Sequence, residues 1–221
     1  MSSREVEPEL LDQLPSDDPV AVKIHRDILR FNYLMGNFRW IGRELSQCLR
    51  PGDRVLEIAA GQGHLLSALA KRGVINEAKH VAAFDAICPR PVNCPEGVEW
   101  TVCRAEEFTD YRNYDVILVC HFLHQLPAEV LRELGEQFRH ARLILAAEPR
   151  RHPLAVGLCK ASRLIGFSKV GIGDGLTSIH AGFRGEELTK MLGLNAAQWR
   201  FTYSETWLGS YRLRAEQINE K

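Results

Sequence analysis

Val55-Leu56-Glu57-Ile58-Ala59-Ala60-Gly61-Gln62-Gly63-His64-Leu65 decides how the chain is read. An apolar run whose one polar member is an acid passes through two glycines into residues with helical spacing, the order strand, turn, helix. Gly61 and Gly63 predict a tight turn whose backbone a ligand can approach, because any Cβ there would intrude. Leu66 stands where the third glycine of a dinucleotide fingerprint falls. A carboxylate such as Glu57 beside the cleft is also unwelcome to a pyrophosphate and suits a cationic amino group. Glycine-rich turns arise for packing reasons alone, so the turn needs support from the rest of the chain.

That support comes from both sides. Downstream, residues 80–84 read as a second strand ending in Asp85, about 20 residues past Gly63, where an acid can accept the hydroxyls of a nucleoside ribose. The plain alternative is an Asp that opens a turn before Pro89. Residues 99–103, the all-apolar 116–120 and 142–147 read as further strands, with helices at 64–72 and 128–138 between them, which implies βαβ units and a parallel sheet covered on both faces. Residues 199–206 and 210–215 alternate with period two around Leu208-Gly209, a closing hairpin. Upstream, 20–49 is helical, interrupted near Gly36-Asn37 and stopped by Pro51-Gly52-Asp53. The expected fold is α/β: a Rossmann-like, seven-stranded, mostly parallel sheet with a C-terminal antiparallel hairpin, helices on both faces and an N-terminal helical extension.

With 221 residues, 45% of them hydrophobic, the chain can bury one substantial core and reads as one domain, residues 20–221, behind a flexible acidic arm at 1–19. Within it, 20–49 forms a helical lid and 150–184 an insertion on the substrate side. Formal net charge is +0, without the basic field that holds nucleic acid, so no nucleic-acid partner is expected. The acidic N-terminus lacks the order of a secretory leader and no apolar run is long enough to span a bilayer, which predicts no membrane partner and a cytoplasmic location. Six cysteines without a Cys-x-x-Cys pair predict reduced packing residues and no metal site. Nothing in the pattern selects an oligomeric state.

Glu57-x-Ala59-x-Gly61-x-Gly63, Asp85, Tyr114-Asp115-Val116-Ile117-Leu118 and Phe122-Leu123-His124-Gln125-Leu126 together resemble the successive motifs of class I S-adenosylmethionine-dependent methyltransferases over residues 50–149. Within that superfamily the chain looks most like the bacterial small-molecule branch that includes quinone-biosynthesis enzymes. Leu29-Arg30-Phe31-Asn32-Tyr33-Leu34-Met35-Gly36 further resembles small methyltransferases encoded beside type III polyketide synthases. The resemblance implies S-adenosyl-L-methionine as cofactor and a small-molecule acceptor. It also implies that Glu57, Ala59, Gly61 and Gly63 hold the methionine end, Asp85 the ribose and Ala105-Glu106 the adenine edge, with Cys120 near the sulfonium. Two positions depart from the pattern: Ala59 replaces the first glycine of the turn, and Arg104 stands where an acid often accepts from the adenine amino group.

Methyl transfer requires donor and nucleophile to be aligned, and a hydroxyl or enol acceptor gains from a base. His121 and His124 follow the fourth strand and His180 lies in what reads as a glycine-rich loop, so each is a candidate base. Each also has an ordinary reading: His124 as a loop cap, His121 as a packed residue, His180 as an exposed side chain. The segment 148–183 carries Arg150, Arg151, Lys160, Arg163 and Lys169 against Glu148 and Asp174, which suits an anionic acceptor or, more commonly, a solvated face. Its apolar residues Leu154, Val156, Leu158, Leu164, Ile165 and Phe167, with Met35 and Trp40, can line an acceptor pocket or belong to the core. A nucleotide-dependent oxidoreductase and a non-catalytic S-adenosylmethionine-binding protein use the same turn and remain rival readings.

Overall fold

In the computed structural model, which describes residues 3–15 and 17–218, a seven-stranded sheet runs in the order β3-β2-β1-β4-β5-β7-β6. The strands are β1 (Arg54–Ile58), β2 (His80–Asp85), β3 (Glu99–Val102), β4 (Val116–Cys120), β5 (Leu143–Pro149), β6 (Trp199–Glu205) and β7 (Ser210–Gln217). The first five are parallel and β7 pairs antiparallel with both β5 and β6. This is the expected architecture. Sequence order reverses at β1 and β4, so the crevice of this sheet opens at their carboxyl ends.

The central strands are apolar on both faces because both are covered. One face packs on α2 (Asn37–Cys48) and α3 (His64–Lys71), where Ile41, Leu45, Leu65, Leu66 and Leu69 meet Val55, Leu118 and Leu145. The other packs on α4 (Ala128–Phe138) and the short α7 (Glu187–Met191), where Leu131, Phe138 and Leu188 meet Leu56, Ile117 and Ile144. Trp40 belongs to the first layer, with the Arg212 guanidinium 5.6 Å from its ring, and so it is core and not pocket lining.

Helix α1 (Pro19–Met35) starts where Asp18 accepts the Val20 N–H at 2.6 Å and Pro19 sits in the first turn. It stops at Gly36, whose φ of 70° releases the chain into α2. The insertion forms α5 (Pro153–Ala161) and α6 (Lys169–Ala181), both packed near α1. Gly171, Gly173 and Gly175 therefore lie inside a helix, not in the expected loop. Close helix packing supplies the reason: a Cβ on Gly171 would stand 2.6 Å from Asp27 Oδ2, and one on Gly175 3.1 Å from Cys159 Sγ. Arg150 and Arg151 pair with Glu205 and Glu187, which commits them to the fold. Leu164 points outward, 88% exposed. Among the described residues no helix is long and apolar enough to cross a membrane.

The described residues of the acidic arm pack against the domain. Arg4 lies over Phe183, its guanidinium 4.9 Å from the ring, and donates to the carbonyls of Ala181, His124 and Leu126. Asp174 receives the N–H groups of Leu10 and Leu11 at 3.1 and 3.0 Å. Composition predicted flexibility because the arm is acidic and carries Pro8, Pro15 and Pro19. Paired charges and backbone hydrogen bonds seat it instead.

Gly135 of α4 faces the Leu192 carbonyl so closely that a Cβ would stand 1.8 Å from its oxygen. Gly135→Ala should lower the unfolding free energy by about 2 kcal/mol, the usual cost of an overpacked contact, seen as a reduced urea midpoint at unchanged slope.

Candidate active site

The carboxyl ends of β1, β2 and β4 converge on a cavity closed on its other sides by α1 and the arm; its walls include Glu57, Gly61, Asp85, Cys120, His121 and, from the arm, Leu11. Ala59 and His121, at the tips of β1 and β4, have φ of 51° and 60°, a left-handed conformation uncommon outside glycine. Both turn the chain sharply at the cavity wall. Gly61 and Gly63 have φ of 53° and 67°, and a Cβ on Gly61 would meet nothing within 4 Å. The first glycine is thus needed for its backbone angle and leaves open space on the cavity side.

Glu57 is buried within β1, its Oε2 without any hydrogen-bond partner. Loss of water, with the Asp85 charge adding to it and the Leu66 N–H opposing, pushes this carboxyl up to about 8. Asp85 accepts the Gly61 N–H at 2.8 Å through Oδ2 and those of Ile87 and Cys88 at 3.0 and 2.8 Å through Oδ1. Three backbone donors occupy most of the carboxylate's lone pairs, so Asp85 shapes the turn as well as facing the cavity. Cys120 lies on the wall; its thiol donates to Asn32 Oδ1 at 3.2 Å, and burial raises its pKa well above the normal value.

Ala105 and Glu106 lie elsewhere. Ala105 is packed in the core, its carbonyl bound by the Tyr111 hydroxyl at 2.9 Å, and both residues line a separate surface hollow beside Phe108 and Val130. Ile87 and Cys88, after β2, occupy the cavity wall instead. The loop after β3 turns Ala105 inward to the core.

The three histidines part company. His180 is near the end of α6, its side chain 48% exposed and 4.0 Å from Glu5; it lines neither this cavity nor its neighbour. His124 is buried, with Nδ1 2.7 Å from Glu148 and Nε2 3.1 Å from Glu9 of the arm. Burial alone would lower it, but the hydrogen bonds and charges of Glu148 and Glu9 prevail and hold it up at about 9. An imidazolium with both N–H groups donated to carboxylates cannot take a further proton. His124 is therefore a structural cation, not a base. Of the three, His121 lines both this cavity and an adjoining, more apolar one bounded by Phe31, Met35, Cys159 and Ile179.

Four residues of the site were not predicted as site residues, although Asn32 lies within the quoted stretch 29–36. Asn32 and Asn37 lie near Cys120 and His121, Glu148 receives the Phe122 and Leu123 N–H groups at 3.1 and 3.0 Å, and Glu9 accepts from Gln125 and Ser178. Asn32, four residues after Ile28 on the inward face of an amphipathic helix, was the available signal.

Comparison with known proteins gives a fold and no family. No family model matches the sequence, and no curated protein matches it. Among solved structures, the plantazolicin methyltransferase BpumL in complex with SAH is similar, with TM-score 0.66 and 15% identity over 95% of this chain and 94% of that one. The plantazolicin methyltransferase BamL, in complex with a triazolic desmethylPZN analog and SAH, matches with TM-score 0.65 and 10% identity over 95% and 93%. N-methyltransferase NodS from Bradyrhizobium japonicum WM9, in complex with S-adenosyl-L-homocysteine, matches with TM-score 0.51 and 16% identity over 92% and 91%.

Because folding raises the His124 pKa and lowers those of Glu9 and Glu148, the arm's ion pair contributes fully between pH 4.5 and 6.5, is lost in acid as the carboxylates take up protons, and is lost as pH rises through about 9. Amide exchange of residues 5–14 should accelerate above that pH beyond the intrinsic base-catalysed rise. Glu9→Gln should produce an acceleration of at least about tenfold at pH 7, since breaking one side of a buried pair leaves a charge uncompensated.

Proposed function

We propose that this chain transfers a methyl group from S-adenosylmethionine to an oxygen, or less readily a carbon, of a small hydrophobic phenol, enol or polyketide-like acceptor. The observation that carries the proposal is Glu57: a carboxyl stripped of water, with one oxygen unpartnered, on the wall of a cavity at the switch point of the sheet. Such a group is completed by a cation, and the α-amino group of a methionine moiety supplies one. A pyrophosphate would meet Glu57 and Asp85 together, which disfavours a nucleotide-dependent oxidoreductase. The sulfonium of the cofactor provides an activated methyl and a neutral leaving group.

The protein's own contribution is alignment. Glu57 and the Gly61–Gly63 turn fix the amino-acid end, Asp85 faces the sugar, and Cys120 borders the reacting centre as a thiol. His121 stands between this cavity and the apolar one, which is proposed to receive the acceptor. Solved structures with the same fold carry the demethylated cofactor, in agreement with this reading.

Glu57 makes the proposal measurable without an acceptor. In the free protein its raised pKa favours the neutral carboxyl, so its contribution to stability is complete below pH 4.5 and falls as pH climbs toward about 8. A bound ammonium reverses the preference and expels the proton. Calorimetry with S-adenosylhomocysteine at pH 7 should give heats that depend on the buffer's ionisation enthalpy, and Glu57→Gln should abolish that dependence and weaken binding. Asp85→Ala should weaken binding at least about tenfold. No affinity of the wild type for either nucleoside would remove the proposal.

A further inference from the structure

We propose that His121 is a hydrogen-bond donor of fixed tautomer, presenting Nδ1–H to the methyl acceptor where the two cavities meet, and is not the base that takes the acceptor's proton. The inference rests on the methyl-transfer reading for the identity of the acceptor; the tautomer itself follows from the hydrogen bonds alone.

A chain of amides sets it. Asn32 Nδ2 lies 3.2 Å from the Ile28 carbonyl, which can only accept, so the Asn32 side chain has one orientation and its Oδ1 faces away. Asn37 lies 3.0 Å from that Oδ1 and must turn its Nδ2 toward it. The same Nδ2 is 3.1 Å from His121 Nε2, while Asn37 Oδ1 accepts from the Ser210 hydroxyl at 2.6 Å. One amide nitrogen thus gives its two hydrogens to Asn32 and to His121, and Nε2 receives one of them. A ring nitrogen that accepts carries no proton, so the neutral imidazole holds its hydrogen on Nδ1. Nδ1 has no hydrogen-bond partner among the described residues and is not among the enclosed unpartnered atoms, so it keeps contact with the cavities that the ring lines.

Protonation of His121 would set an N–H against the Asn37 N–H, donor against donor. Burial acts in the same direction and holds its pKa down to about 4, with His124 lowering it further and Glu148 and Glu9 opposing. The backbone adds a second constraint, since φ of 60° fixes where the side chain leaves β4.

A donor here selects an acceptor with an exposed lone pair beside the methylated atom. In the transfer, the methyl carbon breaks its bond to sulfur, which keeps the electron pair, and bonds to an acceptor oxygen lone pair. Because no proton passes to His121, the fitting substrate is an acidic phenol or enol that enters as its anion, with Nδ1–H bound to that oxygen or to a neighbouring carbonyl.

The wild-type protein without ligand provides the first test. Long-range proton–nitrogen correlation of histidine-labelled protein distinguishes the two tautomers, and the signal missing from a His121→Asn spectrum assigns His121 among the eight histidines. An Nδ1–H imidazole that does not titrate between pH 6 and 8 is expected; an Nε2–H tautomer or titration near 6.5 overturns the proposal. The second test separates donor from base. Asn tolerates the same backbone conformation and places an amide nitrogen at the position of Nδ1, whereas Asp places a bare oxygen there. With labelled S-adenosylmethionine and a panel of acidic phenols, His121→Asn should keep turnover within about tenfold of wild type and His121→Asp should lose about a hundredfold. Activity of the Asp variant with loss in the Asn variant overturns it. Failure of the wild type to bind S-adenosylhomocysteine would sink the methyl-transfer reading and leave the tautomer result standing.

Discussion

A carboxylate without water, with one oxygen unpaired, is the constraint on which the site depends. Burying Glu57 in β1 costs free energy unless a cation or a proton answers it, and among the described residues no cationic side chain pairs with it. Asp85, on the adjacent strand, increases that cost. Two acids held this close to an open crevice are poorly explained by stability, because an apolar residue at position 57 would pack between Ala83 and Leu118 without penalty. Perturbed groups of this kind concentrate where ligands bind.

The sheet and the turn were legible in the sequence for simple reasons. Apolar runs of five or six residues separated by helical periodicity leave few alternatives to a covered parallel sheet, and strands β2 and β4 end within a residue of their predicted limits. Glycines at 61 and 63 announced a tight turn, and both have the positive φ that such a turn uses. Where the reading went astray, local composition competed with tertiary packing. Glycines at 171, 173 and 175 read as a loop, yet all three lie in α6, which needs the missing side chains of Gly171 and Gly175 to approach α1 and α5. The arm read as flexible, yet Arg4 and Glu9 bind partners more than a hundred residues away, which no local pattern reveals.

The histidines show the same limit. Position after the fourth strand brought His121 and His124 into consideration together, but it could not separate them. Their roles are set by neighbours from other elements: carboxylates from β5 and the arm around His124, amides from α1 and α2 around His121. Three positions apart, they have been driven in opposite directions, one held cationic and one held neutral. Ala105 and Glu106 illustrate the converse, a motif position that the local loop geometry turns away from the cavity.

The strained positions connect these observations. Ala59 and His121 occupy left-handed backbone at neighbouring strand tips, each at a cost of about 1 kcal/mol or more. At Ala59 the strain is held by the Ala60 N–H bonded to Phe84 and the Gly61 N–H bonded to Asp85; at His121 by its own N–H on Ala147 and by the Asn37 amide on its ring. Both tips are therefore fixed from two sides, by sheet hydrogen bonds behind and by side-chain acceptors or donors in front. A cavity whose walls are set this way needs little rearrangement when a ligand arrives, which is the condition under which alignment alone can accelerate a displacement reaction. Asn32 and Asn37 enter the same logic, since they tie α1 and α2 to the tip of β4 and orient the His121 ring.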